Sequence, residues 1–209
     1  MKTDKNDFVC SWTPLTHDLG IIGGHMMPMY SEISQNLIST NYYLKNPSVW
    51  LRKMSQYKAT LSASPNFGFY YAAKHADHKS LHAIDLSSIR YILNGAEPVS
   101  YDVCCKFIET FHRYGLKKKS ILPVYGMAEA CLAVTIPELH KPLKVYYIKR
   151  SALRLGEEVK IINTNDEACF VGVGRSVKGC SVKLLHGNKY IERDKVIGEI
   201  LIKGENVSK

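Results

Sequence analysis

The segment that decides the fold is residues 89–126, IRYILNGAEPVSYDVCCKFIETFHRYGLKKKSILPVYG. Its two short apolar runs, residues 89–93 and 121–125, predict strands. Between them, apolar residues recur at i, i+4, i+5 and i+8 from Val103, which predicts an amphipathic helix over 101–114. A strand, a helix and a second strand in this order are typical of a βαβ unit with parallel strands.

The rest of the first part of the chain repeats this alternation. We predict strands over residues 8–12, 36–39 and 59–63, and helices over 19–30, 47–57 and 66–75. After Pro137 only short strands follow, broken by Gly and Asn: residues 145–148, 159–162, 170–173, 182–185 and 197–202, with a hairpin turn at 186–188. The sequence therefore predicts an α/β fold, with a parallel βαβ sheet over residues 1–137 and a smaller β-rich, barrel-like subdomain over 138–209.

Composition excludes several classes of protein. A chain of 209 residues that is 45% hydrophobic can bury a core, so it is not disordered. The 28 Lys and Arg outnumber the 19 Asp and Glu, but the basic run Lys117–Lys119 is short and carries no interleaved aromatic residues. We therefore expect no nucleic-acid partner. No apolar run approaches the ~20 residues of a spanning helix, so we expect no membrane span.

The six cysteines contain no C-x-x-C pair, and no run of basic then apolar residues precedes the first strand, so we expect no signal peptide. This pattern predicts reduced thiols in a cytoplasmic protein.

Ligands of parallel α/β sheets bind beyond the carboxyl ends of the strands, where two segments of this chain lie. Residues 94–98, NGAEP, follow one predicted strand, and residues 125–129, YGMAE, end the next. A third segment, residues 17–24, HDLGIIGG, places a histidine and a carboxylate before a helix. Each also has a structural interpretation: a tight turn at 94–98, a core tyrosine with a helix-start glutamate at 125–129, and an N-cap at Asp18.

Taken together, these segments resemble the motifs of the acyl-adenylating ligases, most closely the fatty-acyl-AMP ligase branch that works beside polyketide and nonribosomal peptide synthases. The motifs that carry the resemblance are SWTPLTHDLG (11–20), ASPNF (63–67), DLSS (85–88), NGAEP (94–98), YGMAEA (125–130), GVGR (172–175) and GEI (198–200). The resemblance implies ATP-dependent activation of a fatty acid to acyl-AMP, with transfer to the phosphopantetheine thiol of an acyl carrier protein.

The resemblance also implies roles for individual residues. It places Asn94, Gly95, Ala96 and Glu97 around the adenine, Tyr125 stacked on it, and Gly126, Met127 and Ala128 beside the nucleotide. The catalytic candidates are Glu129, which would hold Mg²⁺, His17, which would face the reacting carboxylate and the α-phosphate, and Asp18, which would position that loop. Many relatives outside the branch have Thr at the position of Ala128. The methionines at 26, 27 and 29 and the phenylalanines at 67 and 69 are candidates for an acyl tunnel or for plain core positions.

Residues 147–156, YIKRSALRLG, resemble the start of the insertion, about residues 146–170, that distinguishes fatty-acyl-AMP ligases from acyl-CoA ligases. This resemblance favours a carrier protein over coenzyme A as the acceptor. The alternatives are a fragment of an acyl-CoA ligase or of an amino-acid adenylation domain, and a non-catalytic remnant. We expect the chain to correspond to the middle of a large N-terminal domain. It would be inactive alone, because the family's phosphate loop and C-terminal lysine domain are missing.

Overall fold

The computed structural model describes residues 3–162 and 167–208. Residues 163–166, inside the predicted insertion, lie outside the described residues. The centre of the fold is a five-stranded parallel sheet in the order β2-β1-β3-β4-β5. Its strands are β1 (Phe8–Ser11), β2 (Ser34–Leu37), β3 (Leu61–Ser64), β4 (Tyr91–Asn94) and β5 (Ile121–Pro123). The predicted parallel α/β sheet is confirmed.

Within residues 3–162 and 167–208, five α-helices accompany the sheet: α1 (Met27–Tyr30), α2 (Thr40–Lys45), α3 (Ser48–Gln56), α4 (Asn66–His75) and α5 (Tyr101–Phe111). One face of the sheet and the helices bury an aromatic cluster in which Trp50 contacts Phe69 and Phe107, with ring centroids 5.9 and 5.8 Å apart. Tyr43 stacks on Trp12 at 3.9 Å and donates a hydrogen bond to the Gly68 carbonyl. This cluster fixes α2, α3, α4 and α5 on the sheet, since aromatic side chains supply the largest buried areas of a core.

In the part of the chain that the structure describes, three small antiparallel sheets follow the parallel sheet. They contain β6 (Tyr125–Met127), β7 (Leu132–Ile136) and β11 (Arg175–Ser176); β8 (Val145–Ile148), β9 (Ile161–Ile162) and β10 (Ala168–Val171); and β12 (Cys180–His186), β13 (Lys189–Ile191) and β14 (Glu199–Gly204). The predicted hairpin turn is confirmed, because β12 pairs with β13 around Gly187 in a left-handed conformation. β11 pairs with β7 across the predicted boundary near residue 137, and that boundary stays a prediction.

Two predicted elements differ from the observed ones near the carboxyl edge of the sheet. The helix predicted over 19–30 is a π-helix (Leu19–Met26) followed by the single turn of α1. The strand predicted over 121–125 divides at Val124, where β5 leaves the parallel sheet and β6 begins the antiparallel one. The apolar pattern of residues 121–125 does not show that the chain changes from one sheet to another at Val124, because β5 and β6 carry the same kinds of side chain.

A buried carboxylate ties the amino ends of three strands together. Asp7, which is 4% exposed, accepts hydrogen bonds from Arg90 at 2.6 and 2.7 Å and from the Thr60 hydroxyl at 2.6 Å. Burial alone would raise the pKa of the Asp7 carboxyl, but hydrogen bonds from Thr60, the Asp4 amide and Arg90 hold the pKa below its ordinary value. The three partners therefore favour the charged form of Asp7.

We expect Asp7→Asn to lower the free energy of unfolding at pH 7 by about 2 kcal/mol, because Arg90 loses its charged partner. Since folding lowers the pKa of Asp7, its contribution is present above the unfolded pKa, near 4, and is lost as the pH falls through the folded pKa. Urea denaturation of both proteins at pH 7 and pH 2.5 measures this difference, which should shrink at the lower pH. An equal difference at both pH values would contradict the prediction.

The cysteines make no disulfide: all six are free thiols. Burial raises the pKa of the Cys10 thiol to about 12 and that of the Cys104 thiol to about 11. Neither is therefore a nucleophile at neutral pH. Within the described residues, every helix is too short or too polar to cross a membrane.

Candidate functional site

A cavity of about 420 Å³ opens at the carboxyl end of β4, within the range of roughly 300–1,000 Å³ typical of small-molecule sites. It is lined by Thr16, His17, Asp18, Leu19, Leu93, Gly95, Ala96, Val124, Tyr125, Gly126, Met127, Ala128, Leu132, Ala133 and Ile136. The lining includes residues from all three candidate segments of the sequence, 17–24, 94–98 and 125–129. A single ligand can therefore contact the turn at Gly95, the turn at Gly126 and the histidine.

Backbone contacts hold the turn after β4 against the start of β6. The Val124 amide donates to the Asn94 carbonyl at 2.8 Å. A side chain at Gly95 would come within 2.9 Å of a Val124 methyl group and 3.0 Å of its carbonyl oxygen. Ala96 follows in the left-handed region, with a φ of 69°. The small residues at 95 and 96 thus leave the cavity open at a point where two backbones nearly touch.

The turn after β6 is built as closely. A Cβ at Gly126 would overlap the carbonyl oxygen of Leu132 on the paired strand β7. Beyond Ala128, Cys131 and Leu132 both have positive φ angles, 47° and 88°. The Ser208 amide bonds the Glu129 carbonyl at 2.7 Å. Residues near 208 therefore hold this turn in place from outside the cavity.

His17 and Asp18 form a pair at the start of the π-helix. Nδ1 of His17 lies 2.6 Å from Oδ1 of Asp18, and the Leu19 amide lies 2.8 Å from that oxygen and 3.1 Å from Nδ1. Two acceptors would repel at 2.6 Å, so we assign the proton to Nδ1, which donates to the carboxylate, and the Leu19 amide then donates to Oδ1 alone. With the proton on Nδ1, Nε2 is the ring nitrogen of the half-exposed His17 that is not engaged with Asp18. Asp18 is thus an N-cap that also orients the imidazole.

Three candidate residues do not line the cavity. Asn94 is fully buried, and its amide donates to Asn66 at 3.3 Å and to the sulfur of Cys104 at 3.4 Å. The Glu97 carboxylate accepts from the Phe67 amide at the start of α4 at 2.6 Å. Glu129 is exposed next to the lining residue Ala128. The side chains of Asn94 and Glu97 therefore form hydrogen bonds with α4 and α5 and do not face the cavity.

The chemistry of Glu129 fits a magnesium ion that also binds phosphate. Within the described residues its carboxylate has no ion-pair partner, and no three His, Cys, Asp or Glu side chains there could hold a metal together. Magnesium usually takes one or two protein carboxylates and fills its other positions with water and substrate phosphate. One accessible carboxylate beside the cavity meets that requirement, whereas a metal cage made by protein alone has no basis in this part of the chain.

A narrow slot of about 20 Å³ lies on the side of the sheet that the π-helix covers. Leu93 lines both the slot and the cavity; the other slot residues are Val9, Ser11, Gly23, Gly24, Met27, Leu61, Ser62 and Ala63. Of the five tunnel candidates, only Met27 lines this slot. Phe69 is fully buried in the aromatic core, and Met26, Met29 and Phe67 are 54%, 60% and 44% exposed.

Sequence reasoning also missed much of the apolar lining: Leu93, Val124, Leu132, Ala133 and Ile136. The adjacent glycines at 23 and 24 were the available signal for the slot, since they let a helix approach a sheet closely.

A second, larger cavity of about 870 Å³ lies beside β5 and contains none of the candidate site residues. The motif residues 172–175 do line it.

The arrangement of turns, histidine and exposed carboxylate can be compared with known proteins. The sequence profile described as "AMP-binding enzyme" matches residues 1–209. The chain belongs to the AMP-binding enzyme family.

Two curated relatives of this family member are named as a ligase and as an adenylyltransferase. The medium-chain-fatty-acid–[acyl-carrier-protein] ligase TtuA of Teredinibacter turnerae is 28% identical over 207 residues, which are 99% of this chain and 32% of the relative. The 4-hydroxyphenylalkanoate adenylyltransferase of Mycobacterium tuberculosis is 29% identical over 198 residues, 94% of this chain and 32% of the relative. The AMP-binding chain therefore spans about a third of the length of these relatives.

Solved structures give the same family placement. The fatty acid AMP ligase from Legionella pneumophila superposes with a TM-score of 0.92 at 31% identity, over 99% of this chain and 36% of that protein. The adenylation domain of a keto acid-selecting nonribosomal peptide synthetase module gives 0.89 at 25% identity, over 99% and 40%. The parallel sheet and the small antiparallel sheets thus correspond to part of a fatty acyl-AMP ligase fold.

Proposed function

We propose that this chain forms the nucleotide- and acyl-binding part of a fatty-acyl-AMP ligase, and that the polypeptide carrying it activates a fatty acid with ATP. The observation that carries the proposal is one cavity lined by Gly95, Ala96, Tyr125, Gly126 and the His17–Asp18 pair. The reaction joins a carboxylate oxygen to the α-phosphorus, breaks the bond to the bridging oxygen and releases pyrophosphate. The product is acyl-AMP.

The residues of the cavity contribute alignment and charge neutralisation. A carboxylate attacking a phosphate brings two anions together, so positioning and electrostatic stabilisation supply most of the rate enhancement. The small turn residues admit the purine, and Tyr125 stacks on it. Asp18 holds the imidazole of His17 toward the reacting groups. Bound Mg²⁺ would neutralise phosphate charge, and Glu129 is the residue that would hold it.

For the acyl group we propose a path past Leu93 into the slot between the π-helix and the sheet. Its walls are mostly apolar, and at about 20 Å³ the slot would have to widen before an alkyl chain, which gains about 0.8 kcal/mol for each buried methylene, could enter. We propose a carrier protein's phosphopantetheine thiol as the acceptor, supported by the insertion-like sequence at 147–156 and by the relative named as a carrier-protein ligase. A cytoplasmic location is proposed on the six free thiols.

Calorimetric titration of the chain with a non-hydrolysable acyl-adenylate mimic tests the binding part of this proposal. We expect saturable binding that weakens when the fatty acyl group is replaced by an amino acyl group. ATP–pyrophosphate exchange by the polypeptide that carries this sequence tests activation, and a comparison of coenzyme A with carrier protein tests the acceptor. Transfer to coenzyme A would favour the acyl-CoA ligase alternative, and no binding of the mimic or of ATP would favour a non-catalytic remnant.

We expect Tyr125→Ala to weaken binding of the mimic by roughly tenfold or more, since stacking of a base on an aromatic ring contributes about 1–3 kcal/mol. Tyr125→Phe is the matched control. Among the described residues the Tyr125 hydroxyl donates a hydrogen bond only to the sulfur of Met127, at 3.8 Å, so the phenylalanine variant should bind like the wild type. Calorimetry measures both, and equal affinities for all three proteins would exclude stacking at this position.

A further inference from the structure

Two side chains connect the turn after β4 to the start of α4 in opposite directions. The Glu97 carboxylate accepts from the Phe67 amide at 2.6 Å, so the turn caps the helix. Oδ1 of Asn66 accepts from the Ser100 amide at 3.1 Å, so the helix caps the end of the turn. Asn66 also receives the amide of buried Asn94, at 3.3 Å. Residues 94–100 are thus fastened at both ends to the same helical turn.

This connection matters because the segment between the two fastened ends is strained. Ala96 has a φ of 69°, a left-handed conformation that is unfavourable for a non-glycine residue and persists only where the surroundings impose it. Ala96 and Gly95 line the cavity. The N-cap residue of α4, Pro65, provides no side-chain hydrogen bond to the helix, so the capping carboxylate comes from Glu97 instead.

We propose that Glu97 and Asn66 are positioning residues: together they hold Gly95 and Ala96 in the shape that accepts the adenine, and Glu97 does not itself bind the nucleotide. The inference rests on the proposed binding of ATP in this cavity. It assigns to Glu97 a different role from the adenine contact that the family resemblance implies. A carboxylate at a helix N-terminus is stabilised by the unpaired amides and the helix dipole, which explains an acid at this position.

We call the hydrogen bonds that Glu97 and Asn66 accept between the turn and α4 the clamp. If the clamp positions Gly95 and Ala96, variants of its two residues should affect ATP binding in a specific pattern. Glu97→Ala should weaken ATP binding by roughly tenfold, the size expected when a capping bond is lost. Glu97→Gln keeps an acceptor oxygen and should recover most of this affinity, whereas a residue that acted by its charge on the nucleotide or metal would not be rescued. Asn66→Ala should resemble Glu97→Ala, and Asn66→Asp, which keeps Oδ1, should resemble the wild type. Glu109→Ala, an exposed acid on α5, is the control.

Two measurements on the 209-residue chain test the inference. Hydrogen exchange without ligand reports the clamp itself: the Phe67 amide should exchange faster in Glu97→Ala, and the Ser100 amide faster in Asn66→Ala. Calorimetry with ATP and Mg²⁺ reports its consequence, and circular dichroism checks that each variant is folded. Faster exchange together with weaker binding, and rescue by Gln and Asp, would support the proposal.

Unchanged exchange in the alanine variants would overturn the clamp, and faster exchange with wild-type ATP affinity would overturn its positioning role. Equal loss in Glu97→Ala and Glu97→Gln would assign Glu97 to direct binding of the nucleotide or metal instead. If the wild-type chain binds no ATP while its Phe67 and Ser100 amides are protected, the proposed function fails and the positioning role fails with it. Each of the first three outcomes would overturn only the positioning role and would leave the proposed function standing.

Discussion

Replacing Gly126 with alanine is expected to abolish binding of the acyl-adenylate mimic and to lower the free energy of unfolding by about 3 kcal/mol. The added methyl group would overlap the backbone carbonyl of Leu132, which no change of rotamer can avoid. Gly126 pairs with Ala133 where β6 enters the antiparallel sheet, so the two strands must separate to make room. That separation moves Tyr125 and Met127, which both line the cavity.

Gly172→Ala is the matched control for this prediction. A Cβ at Gly172 would meet only ordinary van der Waals neighbours, the nearest being a ring carbon of Tyr146 at 3.5 Å, and Gly172 is not among the residues that line the nucleotide cavity. Urea denaturation and calorimetry with the mimic should therefore give wild-type values for it. If Gly126→Ala also kept the wild-type unfolding midpoint and affinity, the close packing of β6 on β7 could not be what shapes this cavity.

The sequence predicted the parallel sheet because β1, β4 and β5 lie in short apolar runs separated by helices. The polar strand β2 (Ser34–Leu37) begins two residues before the strand predicted over 36–39. The sequence did not predict α2 or β7. The six residues of α2 are too few for a helical period to emerge, and their place in the fold depends on Tyr43 packing against Trp12 and Trp50. β7 begins at the second of two residues with positive φ angles, Cys131 and Leu132, and no ordinary turn motif predicts that pair.

The candidate site shows a similar division. The sequence motifs pointed to His17, Gly95 and Tyr125 as site residues, and all three line one cavity, because the carboxyl ends of parallel strands lie at the same edge of the sheet. The direction of individual side chains was beyond the same reasoning. Asn94 and Glu97 belong to the same motif as Gly95, yet their side chains turn away to Cys104 and Phe67. A motif predicts where the backbone passes, whereas hydrogen-bond partners distant in sequence decide which way a side chain points.

Replacing Glu129 with glutamine is expected to reduce ATP–pyrophosphate exchange by the polypeptide that carries this sequence by roughly a hundredfold or more, the size typical for loss of one group that stabilises transition-state charge. Glutamine keeps the shape of the side chain and removes its charge, which is the property that would hold Mg²⁺. In the 209-residue chain, the increase in ATP affinity on adding Mg²⁺ should disappear. Calorimetry with and without the metal measures that increase without requiring turnover.

Stability should not change in Glu129→Gln, because the contact that fastens this turn uses the Glu129 carbonyl and the Ser208 amide, not the side chain. Glu192→Gln, an exposed acid after β13, is the matched control and should keep both the exchange rate and the Mg²⁺ effect. Loss of metal-dependent ATP binding with an unchanged unfolding midpoint would separate a metal-binding role from a structural one. An undiminished Mg²⁺ effect in Glu129→Gln would assign the metal to a different residue, and the magnesium part of the proposed function would fail.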